Sequence, residues 1–149
     1  MIYNRTREDV AKAKEIYLNK VTKGKTLTEE DIQTLERGMI TVDTINRIEN
    51  KQAELKAKLD DMGYLNTPIT NRVWNNRGIF KFADLERLCN NNKALHDAFY
   101  ALNDSPLDAV PEYYYTEINA LEKILLDISD NIDYTIENYR CCGTFECGG

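Results

Sequence analysis

The chain has 149 residues, 42% hydrophobic and 30% charged, with 19 Lys and Arg against 25 Asp and Glu for a net charge of −6. An acidic surface of this kind, with a pI near 4.9, repels a phosphate backbone, so nucleic acid is not an expected partner. No run reaches the roughly 18–20 apolar residues of a membrane span and MIYNRTRED lacks the apolar stretch of a secretory signal, so no membrane partner and synthesis in the cytoplasm are expected.

Thr6-Arg7-Glu8-Asp9 has the form of a capping box, a hydroxyl that can accept from free backbone N–H groups with an acid three residues on. Val10, Ala13 and Ile16 or Tyr17 follow at helical spacing and predict a first helix over about 7–19, before Lys23-Gly24-Lys25 interrupts it. Thr28-Glu29-Glu30-Asp31 is a second box, and Ile32 and Leu35 predict a short helix that stops near Gly38. A third helix begins after Thr41, a capping residue, with Asp43 in the first turn where the helix dipole favours negative charge. Ile45, Ile48, Leu55, Leu59 and Met62 form its apolar face, and Gln52 completes a 3,4,3,4,3 spacing that keeps one seam pointing one way until Gly63 ends the helix. Residues 64–78 contain Pro68 and Trp74 without a period, which predicts a connector whose Trp packs on neighbouring helices.

The third helix recurs forty residues later, with Leu85, Leu88, Leu95, Phe99 and Leu102 on the seam, Asn92 where Gln52 stood, and Arg87 and Asn90 in place of Arg47 and Asn50. It recurs again after thirty-three more, with Ile118, Leu121, Leu125, Ile128 and Ile132; Leu125 fills the polar position, and Asn119 and Glu122 match Asn46 and Glu49. The expected fold is all-α: a helical pair over 1–39, three related helices forming a bundle over 40–139, and a short extended Cys/Gly-rich tail over 140–149. A seam this narrow cannot bury itself alone, so the three helices bundle within one chain or associate with copies from other chains. A buried Leu or Ile contributes roughly 1.5–3 kcal/mol, which makes the seam the main source of stability. Gln52 and Asn92 either lie buried, where they cost stability and fix register or chain number, or face water where the seam curves.

Little else in the sequence suggests chemistry. His96 is the only histidine, and Asp97 beside it in sequence is expected to point elsewhere rather than complete a dyad. Cys141, Cys142 and Cys147 crowd the end without a nearby histidine, so a zinc site would need Cys89 or a second chain; a Cys142–Cys147 disulfide is another option. Acid pairs such as Asp60-Asp61 and Glu29-Glu30 read as solvated helix surface. No phosphate loop or Ser/His/Asp arrangement appears, and the expectation is no catalysis, no metal and no cofactor. The better candidates are contact residues: Tyr113, Tyr114 and Tyr115, which combine apolar area with a hydroxyl, and Phe145, Cys142 and Cys147 in a tail whose alternation suits a strand that pairs with a neighbour. Packing on the chain's own helices, or a frayed tail, are the plainer readings of the same residues.

TVDTINRIEN at 41–50 resembles the T-x-x-D-h-N-R-I-E segment (h apolar) of structural proteins associated with the tail fibres and baseplates of phages and prophages of Gram-positive bacteria. MIYNRTREDV, the LTEED helix followed by Gly38-Met39, Trp74 ahead of DLERL at 84–88, YYTEINALEKILLDI and CGTFECGG extend the resemblance over nearly the whole chain. The second copy departs from the pattern, with Glu86 in place of Asn and Cys89 in place of Glu. The resemblance implies a non-enzymatic virion component of the tail that joins other tail or baseplate proteins and forms a homo-oligomer, with a trimer favoured. A small cytoplasmic regulatory or metal-binding helical protein using the terminal cysteines is the alternative.

Overall fold

A computed structural model describes residues 1–24, 26–64, 68–75, 78–99 and 115–142. Five α-helices follow one another: α1 (Arg7–Lys23), α2 (Glu29–Gly38), α3 (Val42–Asp61), α4 (Phe82–Phe99) and α5 (Tyr115–Cys142), with no strand among the described residues. The fold is all-α, as the periodicities predict.

Both capping boxes close. The Thr6 hydroxyl accepts from the Asp9 N–H while the Asp9 carboxylate accepts from the Thr6 N–H at 2.8 Å, and Thr28 and Asp31 repeat the exchange. Helix α1 runs a turn beyond its predicted end because Lys20 and Lys23 are good helix formers favoured in a last turn. The stop is Gly24, left-handed at φ 62, whose N–H donates to the Lys20 carbonyl. The chain then turns back, and α2 meets α1 at Gly38, where the Asp9 carbonyl and the Ala13 methyl occupy the space a Cβ would need. The Arg37 guanidinium spans this crossing, 3.0 Å from Asp9.

Helices α3, α4 and α5 pack pairwise on one another around a single core. Arg47 bonds Glu122 and Lys58 bonds Asp133, both across 75 positions, so α3 and α5 run parallel; Arg87 to Glu49 and Gln52 to Asn92 make α4 parallel to α3. The seam residues meet in layers: Ile45, Leu85 and Ile118; Ile48, Leu88 and Leu121; Leu55, Leu95 and Ile128; Leu59, Phe99 and Ile132, all buried. Between the second and third of these lie Gln52, Asn92 and Leu125, each fully buried. The amides therefore face the core and not water. Gln52 donates to Asn92 at 2.7 Å and to the Leu88 carbonyl at 2.9 Å, Asn91 donates to Gln52 at 2.9 Å, and Asn92 donates to the Leu121 carbonyl at 3.1 Å. The seams are satisfied within one chain.

Parallel helices need return paths. Residues 68–75 belong to the path from the end of α3 to the start of α4, and Trp74 packs from it onto the core, edge-on to Phe80 at 5.5 Å. Helix α5 continues to Cys142, so 140–142, expected in the extended tail, are helical; no glycine interrupts the helix before Gly143.

Candidate functional site

The densest buried polar chemistry lies beside the seam. Asn46 and Glu49, one turn apart on α3, face residues 70–74. The Asn46 side chain accepts from the Trp74 N–H at 2.8 Å and donates to the Trp74 carbonyl at 3.0 Å, holding both backbone groups of one extended residue. Glu49, 1% exposed, accepts from the Arg72 N–H at 3.0 Å, from the Trp74 indole at 2.9 Å and from the Arg87 guanidinium. Arg87 and Asn91 of α4 complete the grip by donating to the Thr70 carbonyl, while the Asn91 oxygen accepts from the Thr70 N–H at 3.1 Å.

A second clamp of the same design sits on α5. Asn119 accepts from the Arg5 N–H at 3.2 Å and donates to the Arg5 carbonyl at 2.9 Å. Glu122, fully buried, accepts from the Ile2 N–H at 3.2 Å and from the guanidinium groups of Arg5 at 2.6 Å and Arg47 at 2.9 Å. Here an arm of residues 2–5 takes the place of residues 70–74, with Arg5 in the role of Trp74. In both, a helix supplies an Asn-x-x-Glu pair, the adjoining helix supplies an arginine, and an extended segment is held by its backbone.

The third pair of helices lacks both halves of the device. The position of Glu49 and Glu122 falls on Cys89 in α4, and the position of Arg47 and Arg87 falls on Ala120 in α5. Either partner alone would be an uncompensated charge against the core, costing several kcal/mol, so the joint substitution is the arrangement that electrostatics permits. Burial, and then the charge of Glu86, push the Cys89 thiol up to about 11, which keeps it neutral.

The clamps hold charge tightly but incompletely. Arg5 Nε and Nη2, Arg47 Nη2 and Arg87 Nε are buried without a hydrogen-bond partner among the described residues. Each carboxylate accepts from three donors, Glu49 from Arg72, Trp74 and Arg87 and Glu122 from Ile2, Arg5 and Arg47, so losing it is costly. A cleft of about 580 Å³ beside the second clamp is lined by Met1, Arg47, Asn50, Lys51 and Glu54. Another of about 630 Å³ beside the first is lined by Arg72, Trp74, Lys81, Asp84 and Arg87. Most of the charged groups in both are paired: Arg47 with Glu122, Lys51 with Glu54, Arg72 with Asp84 and Arg87 with Glu49.

Among the expected contact residues, Tyr115 opens α5 half-buried, and Cys142 lies in its last turn. Tyr113, Tyr114, Phe145 and Cys147 lie outside the described residues, as do the side chains of Cys141 and Cys142. His96 does reach Asp97, Nδ1 lying 3.3 Å from the carboxylate, because their side chains turn toward each other at an exposed edge; the expectation that they point apart is corrected. Among the described residues no group of three His, Cys, Asp or Glu side chains could hold a metal ion, and no helix is long and apolar enough to cross a membrane. The recurrence of Asn46 and Glu49 as Asn119 and Glu122 was visible in the sequence, but the segments they grip were not. Comparison with known protein families, with curated proteins and with solved structures finds no match.

Proposed function

We propose that the protein is a non-enzymatic structural component of a phage or phage-like tail, an assembly adaptor near the baseplate or fibres. The observation that carries the reading is the use made of the residues behind the resemblance. Asn46, Arg47, Glu49, Asn119 and Glu122 all serve as fasteners between helices and extended chain. A motif whose polar side chains are spent on architecture suits a part that must be rigid and correctly shaped, and it leaves the outer surface for contacts with other tail or baseplate proteins and with copies of itself.

The three seams close on one another inside the chain, so they give no separate reason for a trimer. Mass spectrometry of purified particles tests the reading: the protein should occur at a fixed ratio to tail proteins and leave with the tail when heads and tails are separated. Its absence from particles, or a gene remote from tail genes, would overturn the proposal. Loss of residues 141–149 should shorten α5 by its last two residues, leave the helical fold in place and weaken incorporation.

A further inference from the structure

The α1–α2 pair stands apart from the core. Among the described residues none of its apolar side chains joins the bundle's hydrophobic cluster, and neither helix packs along α3, α4 or α5. Among its described residues only Ala13 and Gly38 are fully buried, Val10, Ile16 and Leu35 are partly buried, and Tyr17, Leu18 and Ile32 are 48%, 48% and 45% exposed. Two helices of this length bury little apolar surface between them, and a helical layer is stabilised by a second layer against it. The crossing of Gly38 on Ala13 sets the height of the rest: Ile32, six residues before Gly38, stands level with Leu18 and Asn19, toward the turn at Gly24.

Charge identifies what covers this face. Helix α1 carries five Lys and Arg against three Asp and Glu, whereas α2 carries four Asp and Glu against one Arg. The pair joins a basic helix to an acidic one beside exposed apolar side chains, a combination complementary to itself under a two-fold rotation. We propose that two copies of the chain associate through this pair, α1 of each lying on α2 of the other, to form an intermolecular four-helix bundle. The opposite pairing would set basic helix against basic helix and acidic against acidic. The dimer specifies the self-association included in the function above, and it is read on purified protein, so it can fail or stand independently of the virion placement.

Sedimentation and light scattering of the full chain should give twice the 17.2 kDa chain mass. Carbodiimide treatment of a mixture of unlabelled and ¹⁵N-labelled protein should yield mixed-isotope links between α1 lysines and α2 acids. A monomer at 100 µM chain, or links confined to other surfaces, overturns the proposal.

Leu18→Glu with Ile32→Glu should halve the mass and leave the melting of the α3–α5 bundle in place, and persistence of the dimer overturns it. Because that change could loosen the pair itself, a charge exchange gives a second test. Lys14→Glu with Lys20→Glu in one copy, and Glu29→Lys with Glu30→Lys in another, alter exposed positions only. Each variant alone should be monomeric and the mixture dimeric; no association in the mixture overturns the assignment.

Discussion

Replacing the buried amide layer of the bundle should reverse the sign of a mutational effect. Gln52→Met keeps the side-chain length but removes the donor to Asn92, leaving a fully buried carbonyl oxygen without its 2.7 Å partner. Stranding such a group costs about 1–3 kcal/mol, of which the more apolar methionine recovers about 1 kcal/mol. Asn92→Leu, close in shape, costs about 1 kcal/mol, because Gln52 keeps the Leu88 carbonyl at 2.9 Å as acceptor. The double variant strands neither side chain and fills the layer with apolar groups around Leu125, so it should range from neutral to about 2 kcal/mol more stable than the parent. At roughly 2–4 °C per kcal/mol for a chain of this size, Gln52→Met melts up to about 8 °C lower and the double variant at or above the parent. Urea titration of the four proteins gives the coupling. If the double change equals the sum of the singles within about 0.5 kcal/mol, the layer is not a matched unit and the reasoning fails.

Glu122→Gln leaves Arg5 and Arg47 facing each other without their counterion and should cost about 3–5 kcal/mol, read by urea titration; a cost under about 1 kcal/mol would show that water reaches the site. Gly38→Ala sets a methyl into the Asp9 carbonyl and should destabilise by about 1–3 kcal/mol, with amide exchange accelerating in α1 and α2 and not in α3–α5. Cys89 should resist alkylation in native protein at pH 8 and react in urea, as peptide mass spectrometry can resolve. Its folded pKa of about 11 lies above the ordinary 9.0, so stability tied to the neutral thiol is present below pH 9 and lost as pH rises toward 11. Relative to Cys89→Ala, the parent should therefore lose about 2 kcal/mol over that window, and parallel stability profiles would refute the shift.

What could be read from the sequence followed from how local each signal is. The capping boxes at Thr6 and Thr28 and the 3,4,3,4,3 seam of α3 are written within one or two turns, and they predicted starts and faces correctly. The predicted end of α1 falls a turn short: Val21 continues the spacing of Ala13 and Tyr17, and the left-handed Gly24 decides the stop. The clamps are harder to read. Glu49 and Glu122 flank the seam, where hydrophobic periodicity assigns charge to solvent, and each is buried only because an arginine from another helix and an extended segment close over it. Arg5 sits in an arm with no periodic pattern, and its partner lies 117 positions away. The signal available was the repeated Asn-x-x-Glu spacing with an arginine after the first Asn; it marks a shared job without revealing what is held.

Three identical strands winding together must present the same residue at every corner of a given tier. Covalent linkage removes that obligation here, so glutamine, asparagine and leucine can stand at one height and match their donors and acceptors pair by pair. The cost falls on the threading. Running every rod in the same direction obliges the polypeptide to travel back the full length of α3, about 30 Å for twenty residues, before it can begin the next. That return journey is the stretch pinned at Thr70, Arg72 and Trp74, so the tie-downs and the freedom to vary each corner are two sides of one topology.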